Sequence, residues 1–140
     1  MTRVLAMGLA LFSLSAWALD RLPDGTWMGT GQYKTEAGER GTYTSHIQIH
    51  GNVIIGTGEM NGKKMSHQAT VVFSREGFLT ATSEDGKTST GYCEGSWCHI
   101  DNAERTYEMS FGWEGNEMYT MGSVLRDGKR IVFSEKLMKQ

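Results

Sequence analysis

From Asp24 onward the chain alternates between two kinds of position with a period of two. Trp27, Gly29, Gly31 and Tyr33 fall on one face, and Met28, Thr30 and Gln32 on the other. That period belongs to a half-buried β-strand. A large ring followed by two glycines suits a strand that seals a barrel floor and then bends sharply. The alternation returns downstream: Tyr43, Ser45, Ile47 and Ile49 oppose Thr42, Thr44, His46 and Gln48, while Met65, His67, Ala69, Val71 and Phe73 oppose Lys64, Ser66, Gln68 and Thr70. Nearer the C-terminus, Tyr107, Met109, Phe111 and Trp113 share a face, as do Tyr119, Met121, Ser123 and Leu125, and then Ile131, Phe133 and Leu137.

Between these segments stand turn signals: Glu36-Ala37-Gly38-Glu39, Gly51-Asn52, Asn61-Gly62, Arg75-Glu76-Gly77, Glu84-Asp85-Gly86, Glu94-Gly95-Ser96, Asp101-Asn102-Ala103, Glu114-Gly115-Asn116 and Asp127-Gly128. Asn-Gly and Asp-Gly are strong hairpin signals. Parallel strands need connections of a dozen residues or more, and none is present. The prediction is an all-β, antiparallel up-and-down meander of eight to ten strands. With no helix to cover its apolar face, such a sheet curls onto itself, and closure removes every edge. A flat sandwich is the rival, but it uses longer crossing connections.

Composition adds an address. Arg3, the apolar run from Val4 to Leu14 and the small-residue pattern Ser15-Ala16-Trp17-Ala18 read as a signal peptide over residues 1–18. Residues 19–140 then form a single barrel domain in the periplasm or outside the cell. The run is too short to span a bilayer, so no membrane insertion is expected once the leader is removed. The formal net charge is −2 at pH 7, with no basic stripe, which argues against nucleic acid as a partner. Cys93 and Cys98 are the two cysteines, and an exported pair so spaced is expected to bridge a hairpin tip.

Gly25-Thr26-Trp27 resembles the Gly-x-Trp opening of lipocalins. The longer Gly25-Thr26-Trp27-x-Gly29-x-Gly31-x-Tyr33 is similar to the first strand of nitrobindin-type ten-stranded barrels, both being calycin-type folds. The resemblance covers nine residues and implies a barrel whose Trp packs in the floor against a basic residue from the far end of the chain, here Arg126 or Arg130. Nitrobindins ligate haem through a histidine near the C-terminus. This chain has no histidine after His99, so that ligand has no counterpart and no cofactor is expected.

The apolar faces carry the functional expectation. A barrel of this size either fills with its own side chains or leaves a cavity. In the second case Trp27, Tyr33, Tyr43, Met65, His67, Phe73, Met109, Phe111, Trp113, Tyr119 and Met121 line a site for a small apolar or amphipathic ligand. His67 is the one ionisable residue on these faces: it either anchors a ligand's polar end, binds copper with Met65, Met109 or Met121, or is simply hydrogen-bonded. The last is the commoner fate of such a histidine, and no metal is expected. His46 and His50 are too far apart along a strand to share an ion. Cys93 to His99 echoes a haem-attachment sequence, but four residues stand between the cysteines in place of the usual two, and the hairpin-tip disulfide is preferred to covalent haem. No H-E-x-x-H, G-x-S-x-G, P-loop or calcium loop is present, and an enzyme is not expected. The alternative role is an envelope interaction module or inhibitor acting through its hairpin tips, with Trp97 at the disulfide-bridged tip as the contact for a protein partner.

Overall fold

Short segments rich in Thr, Val, Ile, Tyr and Phe, separated by residues able to adopt positive φ, leave the backbone little choice but hairpins. The computed structural model describes residues 22–74 and 77–140, so the leader expected over 1–18 and the Arg75-Glu76 part of one turn lie outside the described residues. Ten strands follow in order: β1 (Gly25–Thr35), β2 (Arg40–His50), β3 (Val53–Met60), β4 (Lys63–Phe73), β5 (Phe78–Ser83), β6 (Thr88–Glu94), β7 (Trp97–Asp101), β8 (Tyr107–Glu114), β9 (Glu117–Arg126) and β10 (Lys129–Lys139). Every strand connection falls at a turn signal named above. Asn61 and Gly62 have φ of 52° and 75°, and Asp127 and Gly128 have 52° and 72°. Positive φ at both central residues is the type I′ geometry that matches strand twist.

Neighbouring strands pair antiparallel, and β1 pairs on one side with β2 and on the other with β10. The sheet is therefore a closed barrel in the order β1-β10-β9-β8-β7-β6-β5-β4-β3-β2. Closure leaves no edge to template aggregation. Among the described residues no helix is long and apolar enough to cross a membrane.

The two ends of the barrel differ. At the end where β1 begins and β10 ends, Leu22, Trp27, Ile49, Val71, Leu79, Cys98, Met118 and Leu137 are buried and pack into one apolar cluster that extends inward to Ala81, Ile100 and Phe111. Trp27 is 1% exposed, and its indole N–H donates to the Pro23 carbonyl at 3.3 Å. Lys139, its cross-strand partner, holds its ammonium 5.6 Å from the ring centroid. The basic residue over the floor tryptophan is thus Lys139, not Arg126 or Arg130. Those two sit at the other end, where Arg126 reaches Met65 Sδ at 3.6 Å and Arg130 donates to Ser123 Oγ and the Arg105 carbonyl, each at 3.0 Å. The reason is register: Trp27 opens β1 and so meets the last residue of β10.

The Cys93–Cys98 disulfide joins directly opposed residues of the β6–β7 hairpin, with a Cα–Cα distance of 4.0 Å. Both cysteines face inward, and Cys98 is fully buried in the floor cluster.

Candidate functional site

The opposite half of the lumen is built differently. Tyr33, Tyr43, Met65, Ile131, Phe133 and Glu135 face inward here, yet each is only half-buried, and His67 is exposed. An inward side chain can be wetted only through the lumen. His67 makes the point best: protein surrounds most of it and depresses its basicity, yet its surface still meets solvent. The open half therefore holds accessible space where the floor half holds packed side chains.

Glycines make room for the side chains that line this space. A Cβ at Gly31 would fall within the Tyr43 ring, and one at Gly56 would fall on the His67 imidazole. Gly31 and Tyr43 are cross-strand partners, as are Gly56 and His67. Each large side chain thus lies down across its neighbour's bare backbone. Asn61 donates from its side-chain amide to the Tyr33 hydroxyl at 3.2 Å, tying the β3–β4 tip to the rim, and the Tyr33 and Tyr43 rings are 6.5 Å apart.

Glu135 stands at the centre of this half. Tyr43 donates its phenol to Oε1 at 2.8 Å and Thr120 its hydroxyl to Oε2 at 2.7 Å. These are short, charge-assisted contacts. Burial foremost, then the Glu135 charge and hydrogen bond, push the Tyr43 phenol far above its ordinary range. Burial and, second, Glu135 push Tyr107 up to about 12, and its hydroxyl donates to Met109 Sδ at 3.3 Å. Burial holds the His67 imidazole below its ordinary range, against the opposing charges of Glu135 and Glu84. At neutral pH the tyrosines keep their protons and His67 is mainly neutral, so Glu135 brings the formal charge to the middle of the lumen.

Of the residues expected to line the interior, Trp27, Tyr33, Tyr43, Met65, His67, Phe73, Met109, Phe111 and Trp113 do face inward. Trp27 and Phe111 belong to the buried floor cluster, with Phe73, Met109 and Trp113 packed against it. Tyr119 and Met121 face outward, 43% and 53% exposed. The turn at Gly115-Asn116 pairs Glu114 with Glu117 and Trp113 with Met118, so the inward residues of β9 are Met118, Thr120, Gly122 and Val124. Tyr119 is content outside: its hydroxyl donates to Glu117 at 2.8 Å and Lys136 lies 5.6 Å over its ring. With Met121 outside, the thioether set imagined around His67 is incomplete. Among the described residues no group of three or more His, Cys, Asp or Glu side chains is placed to hold a metal. Glu135 is the residue that sequence reasoning missed, although it lies between Phe133 and Leu137 on the face already called apolar. His67 is therefore not alone among ionisable groups on these faces.

Trp97 does not project from its tip. It is 42% exposed and lies on the outer wall across Gly112, its cross-strand partner. Beside it Phe78, Tyr92 and His99 form one cross-strand row, and a depression of about 450 Å³ is lined in part by Val72, Phe78, Tyr92, His99 and Asp101. His99 Nδ1 is 2.7 Å from Ser110 Oγ, and its Nε2 is 3.8 Å from Asp101. This is a hydroxyl–imidazole–carboxylate sequence on the outer wall. Ser110 lies mid-strand in β8, paired with both β7 and β9, so the neighbouring backbone N–H groups serve the sheet rather than an oxyanion.

The barrel is similar to that of Rv2717c from M. tuberculosis. The crystal structure of that protein superposes with a TM-score of 0.53 at 16% identity, over 84% of this chain and 92% of the other. At that identity the likeness shows the fold alone. No family model matches the chain, and no curated protein matches it.

Proposed function

We propose that this protein is an exported binding protein, not an enzyme, that takes a small apolar or amphipathic molecule into the open half of a calycin-type barrel. The observation that carries this is the wetted inward wall: aromatic and thioether side chains half-exposed, and His67 exposed, inside a closed barrel. Such walls with a few convergent polar groups are what small-molecule sites are made of. The disulfide fits an oxidising compartment, and with the leader it supports a periplasmic or secreted location. Titration with the neutral fluorophore N-phenyl-1-naphthylamine should give saturable one-to-one binding that quenches tryptophan emission. Unsaturable binding, together with a ligand-free native mass for protein purified from its own compartment, would overturn the reading. N-terminal sequencing of that protein should begin at Leu19; an intact Met1 would refute export with leader cleavage.

The outer aromatic row favours a second reading, a protein-interaction surface. Val72, Phe78, Tyr92 and Trp97 are 63%, 56%, 50% and 42% exposed on adjoining strands, more apolar area than a solvated wall needs. Loss of a bound partner in Trp97→Ala at unchanged melting temperature would support it; retention of that partner would not.

A further inference from the structure

We infer that the lumen selects an organic cation: an amphipathic amine or quaternary ammonium whose charged head sits against Glu135 and whose apolar body lies along the aromatic wall. This rests on the reading that the lumen binds a small molecule, and it names the class.

A carboxylate offers about four acceptor positions, and Glu135 receives two neutral hydroxyl donors, one on each oxygen. Among the described residues, the ion pairs lie elsewhere: Lys87 with Asp85, His99 with Asp101, Lys136 with Glu117. Among the described residues, no Lys, Arg or His nitrogen lies within 4 Å of the Glu135 carboxylate. Lys139 is held over Trp27 at the floor, and Arg126 and Arg130 are held on Met65 and on Ser123 at the other end. Glu135 thus keeps acceptor positions open toward the lumen, and a cation delivered with the ligand would pair with it directly.

The surroundings suit the same guest. Tyr33, Tyr43 and Phe133 present rings to the open half, and ring faces attract ammonium groups most strongly where water is scarce. Burial keeps His67 mainly neutral at neutral pH, so it does not balance the Glu135 charge. An anionic amphiphile such as a fatty acid would set a like charge against Glu135 and is disfavoured.

Calorimetric titration with three probes that share a ten-carbon chain, each below its micelle concentration, tests this: decyltrimethylammonium, decanol and decanoate. The cation should bind one-to-one and about tenfold or more tighter than decanol, with decanoate weakest. In Glu135→Gln the cation's advantage should fall to within about threefold of decanol, whose own affinity stays put. Equal binding of cation and decanol to the wild type would sink the inference and leave the lumen reading intact. Binding of none of the three would remove both. Tighter decanoate, or a cation preference that survives Glu135→Gln, would also overturn it. Should Glu135→Gln fail to fold, Tyr43→Phe serves: it removes one donor from the carboxylate, so the preference for the cation should hold or grow, and its loss counts against the proposal.

Discussion

The two halves of this barrel are made from the same strands and the same alternation, yet they solve opposite problems. The floor half fills its cross-section: Trp27, Met118, Leu137 and Cys98 are essentially without solvent contact. The open half carries Tyr43, His67, Thr120 and Glu135 on the same inward faces a few residues further along. In the floor, large apolar side chains meet from opposing strands and exclude water. In the open half, glycines let rings lie flat against the wall, and a hydrogen-bonded carboxylate keeps the centre polar. The contrast teaches that one strand can be structural at one end and functional at the other. It predicts that substitutions sort by depth: floor changes cost stability, and open-half changes alter selectivity or titration at small cost in stability.

The largest test is Trp27→Ala. Removing the floor ring should destabilise the barrel by about 3–5 kcal/mol in chemical unfolding. If the variant still folds, the binding of decanol in the lumen should survive; a selective loss of binding at little cost in stability would erase the distinction between the halves. Reduction of Cys93–Cys98 comes next. The bridge closes a very short loop, so its loss should cost about 2 kcal/mol while far-ultraviolet circular dichroism stays that of a β-barrel. A change of lumen selectivity on reduction would show that the floor reaches the site.

Alkaline titration probes where the halves meet. Tyr107 in the fold holds its proton up to about 12, whereas in the unfolded chain a tyrosine ionises near 10. Its contribution is therefore whole below about pH 10 and is lost as pH rises through the raised value, by roughly 2 kcal/mol. Unfolding midpoints between pH 8 and pH 12 should fall, and Tyr107→Phe should flatten that decline; an unchanged slope would mean that Tyr107 is not held as described. The smallest effect belongs to His67. Its folded-state value is lowered, so stability is whole above about pH 6.5 and is lost as pH falls below it. Because the ring is wetted, His67→Gln should flatten the acid-side decline by only a few tenths of a kcal/mol. A larger change would place His67 in a dry core and bring the open half closer to the floor in kind.

Legibility followed the same division. The turn residues announced all the hairpins because turn geometry is local, and Trp27 announced the floor because an indole beside glycines in a first strand has few other uses. Tyr119 and Met121 misled because bulk and apolarity pointed inward while the two-residue turn at Gly115-Asn116 pointed them out. Counting across that turn from Trp113 to Met118 would have corrected the face. Glu135 was passed over because a charged residue on an apolar face breaks the expected pattern, which is also what marks it.

Local chemistry in the chain was enough to bound the strand number at eight to ten and to give the strand order and the bridged hairpin, since each depends on residues a few positions apart. What awaited the folded molecule was the register in which β1 meets β10. That contact joins residues about a hundred apart, sets Lys139 on Trp27 and brings β10 beside Tyr43 and β9 around one lumen. A carboxylate becomes a candidate site only when distant strands supply its donors and withhold its counter-ion, and no stretch of sequence contains that arrangement by itself.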